Sequence, residues 1–171
     1  MAEGTGLGHL WAGWRNAYVS GVAQVDRPDD AGDCIFCALA NSTSDESQVL
    51  ARDDLVFALL NAYPYTSGHL MVAPRRHEGN LEALTDDEAV ALMRMTVDAT
   101  RALKAAYGPD GVNVGINLGR AAGAGIPGHL HVHVLPRWIA ETNFVTTVAE
   151  ARVLPEALSD TWARLHSAWP V

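Results

Sequence analysis

Residues 128–138 read GHLHVHVLPRW, with His129, His131 and His133 at every second position and Leu130, Val132 and Val134 between them. A strand points successive side chains to opposite faces. The spacing therefore predicts one face of three imidazoles and one face of aliphatics bound for a core. A solvated strand face has no need of three histidines. Their place directly after the glycine-rich GRAAGAGIPG of residues 119–128 points instead to chemistry. A metal site made of these three alone is the weaker reading, because in-line imidazoles converge on one ion only if the strand bends strongly.

Working outward, QVLARDD (48–54) and LVFALLN (55–61) read as strands split by Asp53-Asp54. AYPYTSG (62–68) is a turn by its Pro, Ser and Gly, and HLMVAPRR (69–76) returns as a strand. Thr85 opens the clearest helix: TDDE places Thr85 at the N-cap and Glu88 at N3, the pattern of a capping box. Val90, Met93, Val97, Ala99, Leu103 and Tyr107 supply helical spacings, and Gly108-Pro109 ends the run. GVNVGINLG (111–119) alternates as a strand, Cys34–Asn41 reads as a short helical turn, and LPEALSDTWARLHSAW (154–169) as an amphipathic helix. Strands on either side of one long helix give an α+β class.

The 171 residues, 49% of them hydrophobic, suit one domain with a real core and argue against disorder. The aromatic segment LWAGWRNAYV (10–19) and the loop-like SGVAQVDRPDDAGD (20–33) mark residues 1–33 as an arm and connection, leaving 34–171 as the domain proper. No apolar run reaches membrane-spanning length, and the start lacks the basic and apolar blocks of a signal peptide. The expected setting is the cytoplasm. A formal charge of −8 argues against nucleic acid or an anionic membrane as a general partner. Arg75, Arg76, Arg120 and Arg137 read as solvated charges, with Arg120 and Arg137 best placed to matter.

HLHVHVL (129–135) resembles the histidine-triad motif of the HIT superfamily of nucleotide hydrolases and transferases. NAYPYTSGHLMVAPRRH resembles the family's strand–turn–strand, in which Asn61 stands eight residues before His69. NLG (117–119) resembles its Asn-x-Gly. The likeness covers about residues 34–138 as a family-level judgement. It implies a five-stranded antiparallel sheet with one long helix and a C-terminal helix, pairing into a homodimer. It further implies nucleotidylation of His131, with His133 and His69 both able to assist the leaving group. Nucleotide would lie against Asn61, Leu59, Ala62, Met71, Asn117, Gly119, Gly125, Ile126 and the triad. Many members carry a Gln-Ser or Gln-Thr pair where this chain has Gly125-Ile126. That departure, with the aromatic N-terminus and PRWIAETNFV (136–145), is similar to bacterial diadenosine tetraphosphate phosphorylases, in which inorganic phosphate accepts the nucleotide. Hydrolysis of a dinucleoside polyphosphate, cleavage of a nucleoside phosphoramidate and a non-catalytic nucleotide-binding module are the alternatives.

Cys34 and Cys37 are the chain's two cysteines. Such a C-x-x-C reads as a redox pair or as half of a zinc site, and no thioredoxin-like βαβ pattern surrounds it. The family resemblance implies a structural zinc held by Cys34, Cys37, His77 and His129.

Overall fold

Residues 31–42, 48–139, 141 and 156–170 are described by the computed structural model. The expected arm of residues 10–19 and most of the connection that follows lie outside them. Helix α1 (Ile35–Asn41) leads to strands β1 (Val49–Arg52), β2 (Val56–Leu60) and β3 (Leu70–Pro74). Helix α2 (Asp86–Tyr107) follows, then β4 (Gly111–Ile116), β5 (Val132–Arg137) and helix α3 (Leu158–Ser167). The strands form one antiparallel sheet in the order β1-β2-β3-β5-β4. The α+β class read from the sequence and the five-stranded antiparallel sheet that the family resemblance implied are what the chain adopts. No helix among the described residues is long and apolar enough to cross a membrane.

The sheet has two differently employed faces. Val56, Ala58, Leu60, Leu70, Val72, Leu130, Val132 and Val134 pack with Leu92, Met95, Ala99, Ala102 and Leu103 of α2. Val49, Phe57, Leu59, Met71 and Ala73 point the other way and meet Cys34, Phe36 and Ala40. Each strand thus feeds two layers, which is why β2 and β3 are buried along their whole length. The histidine segment obeys the alternation, but its regular ladder begins only at Val132. His129 and His131 precede it, and the backbone there is committed elsewhere: the Leu130 N–H donates to Glu78 O at 2.6 Å.

Helix α2 starts as its sequence demands. The Thr85 hydroxyl accepts from the Glu88 N–H at 3.2 Å and the Glu88 carboxylate accepts from the Thr85 N–H at 2.8 Å. Gly108 closes it with φ 54°, a left-handed turn that suits glycine. The buried stripe differs from the one the apolar spacing suggested. Val90, Met93 and Val97 are exposed, whereas Leu92, Met95, Thr96, Ala99, Ala102 and Leu103 face the sheet. The helix carries two apolar stripes, and the sheet takes the one rich in Ala and Thr, whose small side chains admit close approach.

Arg76 is not a free surface charge. Its Nε and Nη2 donate to the two carboxylate oxygens of Glu88 at 2.8 and 2.9 Å, and Nη2 also donates to Ala83 O. These bonds hold the Glu88 carboxyl down to about 2, helped by the Thr85 N–H. The fork ties the end of β3 to the start of α2. At the opposite end of β5, Arg137 pairs with Glu141 and Asn113.

Candidate active site and metal centre

Pairing across the sheet sets Leu59, Met71, His133 and Gly115 in one row. Met71 and Leu59 are thus apolar neighbours of the last triad histidine. Gly115 would offer its missing Cβ nothing within 4 Å, so the row ends in open space. Ala62 lies exposed in the turn after β2. Ile126 packs on the Cys34–Phe36 layer. Gly119 (φ 76°) and Gly123 (φ 95°) take backbone conformations that side chains rarely adopt, and they shape the loop before the triad. Asn117 lines that loop, its amide nitrogen 3.9 Å from where a Cβ on Gly123 would stand. Gly125 is exposed with free space around it.

The four imidazoles His69, His129, His131 and His133 are buried together. Successive same-face residues on a strand sit about 6.6–6.8 Å apart, yet the His131 and His133 rings lean to 4.9 Å, edge to face. His131 Nδ1 donates to the backbone oxygen of His129 at 2.8 Å. That bond assigns its proton to Nδ1 and leaves Nε2 as a bare lone pair. His69 Nε2 lies 3.0 Å from His133 Nδ1. Burial pushes His69 down to about 3, with His133 and His131 adding to the effect, and brings His133 to about 4. Burial lowers His131 as well. The group is therefore neutral at physiological pH, the state in which an imidazole is a nucleophile.

Asn61 begins an Asx turn: its Oδ1 accepts from the Tyr63 N–H at 2.9 Å. Its Nδ2 lies 3.3 Å from His69 Nδ1. Two aromatic residues that sequence reasoning missed enclose the imidazoles. Phe36, on α1, stands 5.1 Å from the His129 ring and 5.0 Å from the His131 ring. Tyr65 stands 4.6 Å from His69 and 6.0 Å from His133. Phe36 had a faint signal, an aromatic between two cysteines. Tyr65 lay in a stretch that reads only as a turn.

Cys34, Cys37, His77 and His129 converge, with their ligand atoms all within 4.8 Å of one another. Cys34 Sγ is 3.3 Å and Cys37 Sγ 3.6 Å from His129 Nδ1, and Cys37 Sγ is 3.3 Å from His77 Nδ1. In a tetrahedral zinc site the sulfur–nitrogen edge is about 3.6 Å, from the usual Zn–S and Zn–N lengths. The four atoms fit that figure closely. His129 Nε2 donates to Pro74 O at 2.8 Å, which leaves Nδ1 unprotonated and facing the thiols, the tautomer a metal needs. Burial, then the neighbouring Cys34, pushes the Cys37 thiol up to about 11. A thiolate there requires a cation beside it. The donor set thus suits zinc as a four-ligand structural ion with no place left for water or substrate.

The HIT domain family model matches residues 42–138. An AP-4-A phosphorylase of Mycobacterium tuberculosis is 41% identical over 95% of this chain and 85% of its own length. Among solved structures, a histidine triad nucleotide-binding protein from Sulfolobus tokodaii is 26% identical with a TM-score of 0.65, over 79% of this chain and 91% of that one. A zinc-bound histidine triad family protein from Mycobacterium smegmatis has a TM-score of 0.66 at 23% identity, over 81% of this chain and 94% of that one.

Proposed function

Since this chain belongs to the HIT domain family, we propose that it is an enzyme that nucleotidylates His131 with an adenine dinucleoside polyphosphate, and that it is a diadenosine tetraphosphate phosphorylase. The observation that carries the reading is the bond from His131 Nδ1 to the His129 carbonyl, which puts the ring proton on Nδ1 and leaves Nε2 as the bare nitrogen. The likeness to the M. tuberculosis AP-4-A phosphorylase along nearly the whole chain favours this substrate class over the alternatives.

In the first step the His131 Nε2 lone pair forms a bond to the α-phosphorus as the bond to the leaving oxygen breaks, releasing ATP. His133, pinned by His69, donates a hydrogen bond from Nε2 to the departing phosphate. The N–H groups of Ala122, Gly123 and Ala124 donate within the 119–128 loop, and those of Gly125 and Ile126 are the ones that serve the remaining phosphoryl oxygens. In the second step inorganic phosphate displaces His131 and ADP leaves. Asn61 serves the ribose, Leu59, Ala62 and Met71 the base side of the site, and Ile126 keeps water from the nucleotidyl-histidine. Asn117, Gly119 and Gly125 shape the phosphate loop. Zinc on Cys34, Cys37, His77 and His129 supplies a rigid tie between α1, the end of β3 and the triad, and enters no chemical step.

The enzyme works as a homodimer in the cytoplasm. The outer edge of β4 has no partner strand among the described residues, and Val90, Met93 and Val97 leave an apolar stripe on α2. An unpaired strand edge and an apolar stripe are both features that a second copy covers.

Product identity tests the reading. Diadenosine tetraphosphate incubated with the protein should give ADP and ATP only when phosphate is present. AMP and ATP without phosphate would make the enzyme a hydrolase. His131→Ala should abolish turnover and retain nucleotide binding. An alkaline quench of wild-type enzyme should trap the adenylyl-histidine, which acid destroys. Wild-type turnover in His131→Ala would refute the covalent role.

A further inference from the structure

Tyr65 lies in the turn between β2 and β3, four residues before His69. Its backbone N–H donates to His69 Nδ1 at 3.1 Å. A nitrogen that accepts from an N–H holds a lone pair, so the ring proton of neutral His69 sits on Nε2. That nitrogen is 3.0 Å from His133 Nδ1 and donates to it. His133 must then carry its own proton on Nε2, the ring nitrogen not engaged by His69. The Asn61 amide sits against the same ring: its Oδ1 is engaged by the Tyr63 N–H, and its Nδ2 stands 3.3 Å from His69 Nδ1 and 3.4 Å from Nε2, so the Tyr65 N–H is the group that sets the order.

Proton traffic along this pair has an inner end. If His133 gave up its Nε2 proton and took a replacement from His69, His69 would become an imidazolate unless Nδ1 gained a proton. Nδ1 faces a peptide N–H, which cannot release one, and the Asn61 amide, which cannot either. His69 is 1% exposed, with the Tyr65 ring tilted beside it at 4.6 Å, so its own burial keeps water from that end. The pair can orient and can donate a hydrogen bond, but it cannot deliver a proton and be recharged. The neutral state that burial imposes on both rings agrees with this.

We infer that Tyr65, through its backbone N–H, closes the inner end of the His69–His133 pair to protons and so makes the site selective for leaving groups that depart as anions. Tyr65 is a positioning residue in this scheme, acting through His69 and His133. As the N–P bond forms at His131, the electron pair of the breaking bond stays on the leaving atom. A polyphosphate oxygen is a stable anion near neutral pH and needs only the His133 hydrogen bond. An amine cannot leave as its anion and must first be protonated. The inference rests on the proposed nucleotidylation of His131, and narrows its substrates to phosphoanhydrides over phosphoramidates.

The test uses aryl esters of AMP whose phenols differ in acidity, with the rate of adenylyl-histidine formation followed in single turnovers by alkaline quench. With no proton delivered, the rate should fall about fivefold or more for each unit rise in the phenol pKa; with proton delivery the fall is under about twofold. A shallow dependence in the wild type would overturn the inference. Tyr65→Phe keeps the N–H and should keep the steep slope. Replacing Tyr65 by its α-hydroxy acid, which puts an ester in place of that one N–H, should make the slope shallower; an unchanged slope would remove Tyr65 from the explanation. Nitrogen-15 spectra of the imidazoles need neither a substrate nor a variant. They should place the His69 proton on Nε2, and a proton on Nδ1 would overturn the inference. Failure of the proposed function would look different: no adduct with any ester, whatever the tautomer.

Discussion

Gly79→Ala tests how firmly the triad is built into its surroundings. A Cβ on Gly79 would stand 2.4 Å from Pro127 O and 3.1 Å from both the Cα and the carbonyl carbon of Gly128. An ordinary carbon–oxygen contact is about 3.2 Å or longer, so the two segments must part by about 0.8 Å. The obstructing atoms are backbone, and no rotamer change relieves them. Nor is the neighbourhood loose. The Leu130 N–H is held by Glu78 O at 2.6 Å, and His129 Nε2 by Pro74 O at 2.8 Å. Overpacking of this kind costs about 1–3 kcal/mol. At about 2–4 °C per kcal/mol for a chain of this size, Tm should fall by about 2–12 °C. The shift is transmitted through Gly128 to His129, and so to the carbonyl that holds His131. A misplacement of about 1 Å can cost up to about 10²-fold in rate, so kcat on diadenosine tetraphosphate should drop further than the stability loss alone explains. Gly111→Ala is the control, since its Cβ would meet nothing within 4 Å. A Gly79→Ala protein with Tm within about 1 °C and kcat within about twofold of wild type would refute the reasoning, because changes so small are those of ordinary surface substitutions.

Purified protein should contain about one zinc per chain by elemental analysis, and Cys34→Ser should lower Tm before it lowers kcat, because the proposed ion acts as a structural tie; metal-free protein of unchanged Tm would contradict this. Glu88→Gln should lower Tm by a few degrees near neutral pH. Because Glu88 is held down to about 2 in the folded protein, below its ordinary value, its stabilisation is present above about pH 4.5 and fades as pH falls toward 2. The gap between mutant and wild type in a pH series of melts should therefore narrow in acid, and a gap that stays constant would place the effect elsewhere. Ile126→Ser puts a hydroxyl beside the Cys34–Phe36 layer, where an apolar side chain now keeps water away. It should raise the ratio of AMP to ADP formed from diadenosine tetraphosphate at fixed phosphate, by about 1–3 kcal/mol in relative barriers, and an unchanged ratio would reduce Ile126 to loop packing.

Much of the fold was legible because each signal was local. The period-two alternation of Leu130, Val132 and Val134 gave the core face of the histidine segment. Thr85 and Glu88 gave the start of α2, and Gly108 its end. The Cys34, Cys37, His77 and His129 set came from the family resemblance, and the chain brings these residues together from three separate segments. Local signals failed where two solutions were equally apolar. Helix α2 offers a Val90–Met93–Val97 stripe and a Leu92–Ala99–Leu103 stripe, and only the closeness of the sheet selects the second. They failed again for Arg76. A charge in PRRH reads as solvated until Glu88, twelve residues on, is seen to receive it.

What the sequence could not display at all is the part of the site made by main chain. The Tyr65 N–H, the Pro74 oxygen and the His129 oxygen carry no side-chain signature, yet they fix the tautomers of His69, His129 and His131 in turn. His129 shows why this matters. Its Nδ1 faces the thiols, its Nε2 is tied to Pro74, and its carbonyl holds His131, the proposed nucleophile, so one position serves both the candidate metal site and the proposed chemistry through different atoms. A substitution at His129 therefore removes a candidate metal ligand but leaves the peptide oxygen in the chain. One route by which it would lower activity is displacement of that oxygen, transmitted through the backbone to His131. Phe36 adds a second path between the same two places: it is held on α1, beside the cysteines, and lies against both the His129 and His131 rings. The period-two motif supplies the imidazoles. Their protonation, and hence which nitrogen is free to attack, is set by peptide groups that every sequence contains and only the fold aims.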